Sequence, residues 1–189
     1  LLIDYVAKCE VDNLTVIAND LGTPNVGLGK WVREKKIKKA IGTYFTWNPE
    51  VAQLRRTGEM AVELMPQGSF AEAIRAGGCG LGGFYTSVGL GTEVTAGAET
   101  KILEGKEYVF VSPLRADFAL IHAKKADALG NLVYDKTARN FNPVMAMGAK
   151  YTIVEVEQIV PVGELSPEEI VTPFIFVDAL VPIGEGEIK

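Results

Sequence analysis

The chain has 189 residues, a mass of 20.4 kDa and 48% hydrophobic residues, which supports one hydrophobic core and predicts a single domain over residues 1–189. Its 19 basic and 24 acidic residues give a net charge of −5, which argues against nucleic-acid binding, and no apolar run reaches the roughly 18 residues of a membrane span. Two separated cysteines and a single histidine exclude a disulfide scaffold and a structural zinc site, so we expect no metal.

The chain opens in a predicted helix. Leu2, Val6 and Cys9 recur at helical spacing, and neither a capping residue nor a signal sequence precedes them. A helix entered without its cap indicates that an N-terminal segment is missing. The lack of a signal sequence predicts a cytoplasmic protein.

Strand-like runs then alternate with amphipathic stretches, which predicts a βαβα order. The predicted strands are Leu14–Ile17, Ala40–Phe45 and Ala61–Met65, and the predicted helices are Val26–Lys36, a helix capped by Asn48, and Ser69–Ala76. Because the strands are rich in Val, Ile and Ala and alternate poorly, we expect helices to cover both faces of their sheet.

The second half of the chain changes pattern. A β-hairpin is predicted around Glu104–Glu107. The later predicted elements are strands at Phe118–Ile121 and Leu132–Tyr134, a helix from Asn142 to about Gly148, a strand at Tyr151–Val154 and a brief helix at Ser166. The hairpin therefore predicts an antiparallel excursion that interrupts the parallel βαβα pattern.

Three loops next to predicted strands are candidate ligand sites. The first two directly follow strands, where backbone N–H groups are free, and the third precedes a β-prone run. Ala18–Gly22 also has the composition of an ordinary turn. Pro66–Gly68 holds a neutral amide, Gln67, between two turn residues, which favours a ligand contact. Gly77–Thr86 has five glycines in its first seven positions, which indicates unusual torsions or close approach to a ligand or partner, with a flexible loop as the alternative.

The stretch Gly78–Gly83 matches the spacing of a dinucleotide-binding loop. Such a loop follows a strand and begins a helix, whereas here a predicted helix precedes it and a β-prone run follows. We therefore reject a dinucleotide site.

Reactive side chains are scarce. Cys79 lacks a neighbouring base and is interpreted as a small packing residue, and His122, at a predicted strand end, as structural or solvent-facing. The basic run Arg33–Lys39 is interpreted as a solvated helix end, with a phosphate site as the alternative. Without a recognisable nucleophile or base, the loops predict half of a site, to which another chain supplies the reactive group.

The motifs jointly resemble the alpha (A) subunit of the family I, or 3-oxoacid, CoA-transferases, over nearly the whole sequence. The matching motifs are Leu14–Asp20, Gly27–Gly29, Pro66–Gly68, Ile74–Gly78, Gly82–Thr86, Arg115–Asp117, Lys125–Asp127, Gly130–Asn131, Ala138–Asn142 and Glu155–Glu157. The resemblance implies the family's isomerase-like α/β fold, a three-layer open mixed β-sheet with flanking helices. It also implies that the family's N-terminal strand and Gly-Gly-Phe loop are missing here.

The resemblance further implies a beta subunit in an α2β2 heterotetramer. In the family that subunit carries the nucleophilic glutamate in a Glu-Asn-Gly motif, and no such motif occurs in this sequence. The implied reaction is a ping-pong transfer of CoA between an acyl-CoA and a short-chain carboxylate, through a glutamyl-CoA thioester. Because this covalent ping-pong mechanism conserves the thioester energy, it needs no metal or redox cofactor. Coenzyme A takes part as a substrate.

The resemblance assigns site residues by position. Asn19 and Gln67 match amides that line the family's carboxylate pocket, and Asn140 and Asn142 are weaker candidates because Asn142 precedes a proline and is also a candidate helix cap. The glycine loop next to the partner's glutamate corresponds to Gly80, Gly82, Gly83 and Phe84. Neutral amides donate to a developing oxyanion without holding a carboxylate as strongly as arginine does.

The predicted function is therefore the alpha subunit of a CoA-transferase that acts on acetate, butyrate or acetoacetate, without nucleic-acid or membrane partners. Two alternatives remain open from the residues alone. The first is a sugar-phosphate-binding isomerase-like or regulatory domain of the same architecture, since fold does not fix function. The second is a non-catalytic subunit that only stabilises a partner.

Overall fold

The computed structural model describes residues 1–184. Its contacts group the chain into two compact units. One, the N-terminal unit, comprises Leu2–Glu72 and Phe84–Val111. The other, the C-terminal unit, comprises Leu1, Ala73–Gly83 and the chain from Ser112 onward. The organisation of residues 1–189 as a single domain stays a prediction.

The N-terminal unit begins with three parallel strands and the helices between them. Its helices are α1 (Leu2–Lys8), α2 (Gly29–Arg33) and α3 (Pro49–Thr57), and its first sheet has the order β1 (Leu14–Ile17), β2 (Ile37–Gly42), β3 (Ala61–Leu64). Both strand pairs are parallel. Val32 and Phe70 are fully buried and Leu21 is 1% exposed, so apolar burial stabilises this sheet and its helices. Helix α4 (Gln67–Gly78) follows β3 and begins in this unit.

A second, antiparallel sheet completes the N-terminal unit. It has the order β4 (Phe84–Thr86), β6 (Lys106–Val111), β5 (Thr100–Leu103). The predicted hairpin is confirmed, with Glu104 and Gly105 both at positive φ (51° and 77°) between β5 and β6. Two consecutive residues with positive φ are typical of the tight turn that suits the twist of paired strands.

The C-terminal unit is built on two long parallel strands. Its sheet has the order β10 (Ala179–Pro182), β9 (Ala149–Val160), β7 (Ala116–Asp127), β8 (Leu132–Val133), in which only β8 runs antiparallel to its neighbour, and α5 (Asn142–Met147) connects β8 to β9. Ala123, Val154 and Val156 are fully buried on one face of this sheet. The two-residue periodicity of a strand places these side chains together in the core.

Several predicted elements are confirmed in kind. The first strand, the hairpin and the α3 N-terminal cap agree with the sequence-based expectations, since the Asn48 side chain accepts a hydrogen bond from the Glu50 N–H at 3.1 Å. The structure adds the end of this helix, where Gly58 has φ of 76°. The α/β class with mixed strand directions is also confirmed. The strands within residues 1–184 are divided among three sheets, however, where the sequence predicted one.

The predicted bounds of α2 and β2 were wrong, because part of the segment assigned to the helix belongs to the strand. The helix is limited to Gly29–Arg33, because Asn25 and Gly27 before it and Lys35 after it have positive φ. The basic run that was assigned to the end of this helix continues into β2, whose first residue, Ile37, is 3% exposed. The helical spacing of apolar residues extended the predicted helix to Lys36, whereas the buried Ile37 draws the segment into the sheet.

Two further predictions differ from the structure, and one strand was not predicted. Strand β7 runs to Asp127 rather than Ile121, because its pairing with β9 continues through the charged part to Asp127 opposite Val160. Ser166 begins only a turn, closed by the Glu169 N–H on the Ser166 carbonyl oxygen at 3.0 Å, and not a helix. Strand β10 was not predicted. Among the described residues, no helix is long and apolar enough to cross a membrane.

Candidate active site

Three polar residues follow the three strands of the parallel sheet. Asn19 lies two residues after β1, Thr43 directly follows β2, and Gln67 lies three residues after β3. Because the strands are parallel, their carboxyl ends lie at one edge of the sheet, which we call the amide edge. Two strand spacings separate β1 from β3, about 10 Å between strand axes, with Thr43 after the strand between them.

Gly42 allows the ends of β1 and β2 to approach each other. A Cβ atom at this position would overlap the carbonyl oxygen of Ala18 and lie 2.7 Å from the Phe45 ring. The close approach is also seen in the Ala18 N–H, which donates to the Ile41 carbonyl oxygen at 3.1 Å. A residue with a side chain would push the two strand ends apart and move Asn19 away from Thr43.

Asn19 is held by hydrogen bonds to the residues after β2. Its carbonyl oxygen accepts from the backbone N–H groups of Thr43 and Tyr44, both at 3.2 Å. Its side-chain Oδ1 accepts from the Thr43 hydroxyl at 2.8 Å. Within residues 1–184 the Asn19 Nδ2 has no hydrogen-bond partner. The half-buried Asn19 amide therefore keeps one donor for a ligand.

Gln67 is the first residue of α4. From the sequence it was expected in a loop before a helix at Ser69, and this bound was wrong: the Phe70 N–H donates to the Pro66 carbonyl oxygen at 2.8 Å, which starts the helix two residues earlier. The Gln67 side chain is exposed and makes no hydrogen bond to the described part of the chain. It thus presents a free amide at the positive end of a 12-residue helix, which favours an anionic ligand.

The glycines of the third loop have different roles. Gly77 and Gly78 allow the end of α4 to pack closely against Leu114 and Met147. Cβ atoms at these two positions would lie 2.8 Å from the Leu114 carbonyl carbon and 2.7 Å from the Met147 Cβ. Gly80 and Gly83 have positive φ, 73° and 132°, which favours glycine. A Cβ at Gly82 would have no atom within 4 Å. Nothing in the described chain therefore requires glycine at position 82.

Arg115 fixes the start of this loop within the C-terminal unit. Its guanidinium donates to the Gly77 carbonyl oxygen at 3.3 Å and to the Leu81 carbonyl oxygen at 3.1 Å. Phe84, the next candidate, belongs to the N-terminal unit, where it is half-buried, begins β4 and pairs with Val111. The rejection of a dinucleotide loop agrees with the structure, because helix α4 precedes this loop and strand β4 follows it.

Asn140 and Asn142 have structural hydrogen bonds in the C-terminal unit. Asn142 is not the cap but the first residue of α5, and its amide accepts from the His122 N–H at 3.2 Å and donates to the Ala138 carbonyl oxygen at 2.8 Å. Asn140 has φ of 37° and ψ of −130°, and its side chain accepts from the Phe141 N–H at 2.7 Å. The Asn142 amide is used within the chain, so it offers less to a ligand than Asn19 does.

The interpretation of Cys79 changes, and so does the position of His122 along its strand. Cys79 is exposed, with its Sγ atom 3.5 Å from an Arg75 guanidinium nitrogen, so the prediction of a packing residue was wrong. His122 lies within β7 rather than at its end, and its Nε2 is 3.4 Å from a Glu157 carboxylate oxygen. The same carboxylate binds Lys124 at 2.6 Å, and this hydrogen bond raises the pKa of Lys124.

The basic run has local acidic partners. Lys35 pairs with Glu59 at 2.5 Å and Lys39 with Glu63 at 2.7 Å. The first contact joins the connections that precede β2 and β3, and the second joins the two strands themselves. Both neutralise cations that a phosphate would need. Among residues 1–184, no cluster of three or more His, Cys, Asp or Glu side chains is arranged for a metal ion.

Comparison with known proteins identifies the family. The family described as "Coenzyme A transferase" matches residues 1–182. The chain belongs to the coenzyme A transferase family. It is 44% identical over 186 residues to the alpha subunit of the acetate CoA-transferase of Escherichia coli K12, covering 98% of this chain and 84% of that relative. It is 46% identical over 175 residues to the A-type subunit of the succinyl-CoA:3-ketoacid coenzyme A transferase of Helicobacter pylori J99, covering 93% of this chain and 75% of that relative.

The fold agrees with that of a solved CoA-transferase. An acyl-CoA transferase of Escherichia coli O157:H7, solved as a thioester complex with CoA, matches with a TM-score of 0.83 at 21% identity. The match covers 96% of this chain and spans 40% of the length of that enzyme. The resemblance stated from the motifs is thus confirmed, and these CoA-transferases give no support to the sugar-phosphate alternative.

Proposed function

We propose that this CoA-transferase chain is the alpha subunit of an enzyme that moves CoA between an acyl-CoA and a short-chain carboxylate such as acetate, butyrate or acetoacetate. The observation that carries the proposal is the amide edge, where Asn19 and Gln67 offer uncommitted amide groups at the ends of parallel strands. Neutral donors stabilise an oxyanion and still release a carboxylate product.

The proposed division of labour follows from what the chain offers. A glutamate of the beta partner attacks the acyl-CoA carbonyl, which gives an acyl-glutamyl anhydride and releases CoA thiolate. The thiolate then attacks the glutamyl carbonyl, which gives a glutamyl-CoA thioester and releases the first carboxylate. An incoming carboxylate reverses both steps and leaves as the new acyl-CoA. Asn19 and Gln67 donate to the carbonyl oxygen of the acyl substrate while negative charge develops on it during the attack by the glutamate.

The glycine loop has a second role in this proposal. Because position 82 is open within the described chain, a glycine there leaves room for another molecule rather than for the chain's own atoms. We assign that space to the glutamate loop of the beta subunit. The sequence neighbours Gly80, Gly83 and Phe84 belong to the same proposed contact segment. Asn140 and Asn142 support the fold of the C-terminal unit in this scheme.

The remaining parts of the proposal concern the assembly. The relatives are named as the alpha or A subunit of their enzymes, and such a label supports a second kind of subunit as partner for this chain. We propose an α2β2 complex in the cytoplasm that uses coenzyme A as a substrate and needs no other cofactor. The differing names of the relatives, acetate and succinyl-CoA:3-ketoacid, indicate that the acyl preference varies within this family.

Reconstitution tests the proposal. The chain is produced alone and together with the beta subunit of the same organism, and transfer from butyryl-CoA or acetoacetyl-CoA to acetate is followed as acetyl-CoA formed. We expect transfer only from the complex, with a borohydride-sensitive glutamyl thioester on the beta subunit. Transfer by the isolated chain, or a covalent acyl or CoA adduct on one of its side chains, would refute the division of labour.

A further inference from the structure

We propose that Thr43 is a positioning residue, which holds the Asn19 amide with its Nδ2 donor available to the carbonyl oxygen of the acyl substrate. The inference rests on the proposed function and concerns a residue that the sequence motifs did not single out. Its basis is the hydrogen bond between the Thr43 hydroxyl and the Asn19 side chain at 2.8 Å.

The hydroxyl proton of Thr43 has two acceptors within reach. One is Asn19 Oδ1 at 2.8 Å, and the other is the Asn19 carbonyl oxygen at 3.0 Å. A hydroxyl donates one hydrogen bond, and a carbonyl oxygen has two lone pairs. Both lone pairs of the Asn19 carbonyl are already used by the N–H groups of Thr43 and Tyr44. The proton is therefore best placed on Asn19 Oδ1.

This assignment fixes the orientation of the amide. In the opposite orientation the Asn19 Nδ2 would donate to the Thr43 oxygen. The Thr43 hydroxyl would then have to donate a third hydrogen bond to the Asn19 backbone carbonyl oxygen, which already accepts two. That orientation would also direct Oδ1, an acceptor, towards a negatively charged substrate. With Oδ1 bound to Thr43, the group left for the substrate is a donor, which is what a developing oxyanion requires.

Thr43 is itself well placed to fix a neighbour. Its own N–H is bonded to Asn19, Gly42 keeps the two strand ends close, and a β-branched side chain has few χ1 rotamers. Its hydroxyl therefore loses little conformational freedom when it holds Asn19. The arrangement orients the amide before substrate arrives, which lowers the cost of binding the transition state.

The experiment replaces Thr43 in the assembled enzyme. Thr43→Val keeps the shape and removes the hydroxyl, and Thr43→Ser keeps the hydroxyl. Loss of a direct oxyanion donor costs about 100–1,000-fold in kcat, so we expect Thr43→Val, which acts through Asn19, to lower kcat by about 10–100-fold. Thr43→Ser should retain kcat within about threefold, and KM for acyl-CoA should change little in both variants.

A double-mutant cycle separates positioning from a structural effect. In an Asn19→Ala background, Thr43→Val should cause no further loss of kcat, because its effect passes through the missing amide. Full activity of Thr43→Val, or losses that multiply in the double variant, would overturn the proposal. Thr43→Ala is made as a second variant, and failure of both to assemble would show a structural residue and overturn the proposal too.

The wild-type complex distinguishes this proposal from the proposed function. A wild-type complex that transfers no CoA refutes the function, and the role of Thr43 falls with it. An active wild type together with a fully active Thr43→Val variant refutes only the positioning role.

Discussion

Replacing Gly77 by alanine tests the close packing of α4 within the C-terminal unit. A Cβ there would overlap the Leu114 carbonyl oxygen and lie 2.8 Å from its carbonyl carbon and 3.1 Å from the Arg115 Cγ. The obstacle is backbone, so relief needs a shift of the segment before β7. Overpacking of this kind costs about 1–3 kcal/mol, and we take the upper end because backbone must move. Alanine returns about 1 kcal/mol as a better helix former, which leaves a net loss of about 2 kcal/mol.

Thermal and urea unfolding measure this loss. For a chain of this length about 2 kcal/mol corresponds to a fall of roughly 4–8 °C in the melting temperature. The matched control is Gly82→Ala, which has open space around its Cβ and should change the free energy of unfolding by no more than about 0.5–1 kcal/mol. A Gly77→Ala variant as stable as the wild type would show that α4 and the Leu114 segment are not packed as described.

The remaining predictions use other residues of the two units. Gln67→Ala should lower kcat of the assembled enzyme by about 10–1,000-fold, and Gln53→Ala, another exposed glutamine, should leave it unchanged; equal rates for both would remove Gln67 from the site. Asp127→Asn should lower the free energy of unfolding by about 2–4 kcal/mol at pH 7, measured in urea, since a buried carboxylate there accepts hydrogen bonds from three backbone N–H groups and an amide. Asn142→Ala should cost about 1–2 kcal/mol, whereas Asn140→Gly should raise the melting temperature by relieving its positive φ, and the reverse order would contradict the roles given to these amides.

Asp127 also predicts a pH dependence. Burial raises its pKa, but hydrogen bonds from Asn131, Gly130 and Leu129 outweigh burial, so the pKa lies below its ordinary value in the folded chain. Its stabilisation is therefore fully present above the unfolded pKa near 4 and is lost as the pH falls through the folded value. The decline in unfolding free energy below about pH 4 should be smaller in Asp127→Asn; an identical decline in both proteins would remove Asp127 as its source.

Local signals in the sequence predicted much of the fold. Asn48 before Pro49 predicted the start of α3, because capping depends on neighbouring residues only. The first strand and the hairpin at Glu104 and Gly105 were also predicted from short-range chemistry. The division into three sheets was not, because strand pairing joins residues far apart in the sequence, as in the pairing of β7 with β9.

The candidate site was predicted only in part for a similar reason. Asn19 and Gln67 were found because each follows a predicted strand, and the resemblance to a known family pointed to the same positions. Thr43 was hidden, since the predicted strand ran to Phe45 and placed it inside β2. Its meaning depends on a hydrogen bond to Asn19 across 24 positions, which no local pattern reveals.

The Asn19 carbonyl oxygen limits the motion of the amide edge. Because it anchors the N–H groups of Thr43 and Tyr44, the loop after β1 cannot swing away without breaking hydrogen bonds at the end of β2. Those two amide protons should therefore exchange slowly with solvent. We expect the amide edge to be a rigid part of the enzyme that does not open and close during turnover. Differences in acyl preference among relatives would then arise from residues around this edge, while the edge itself stays fixed.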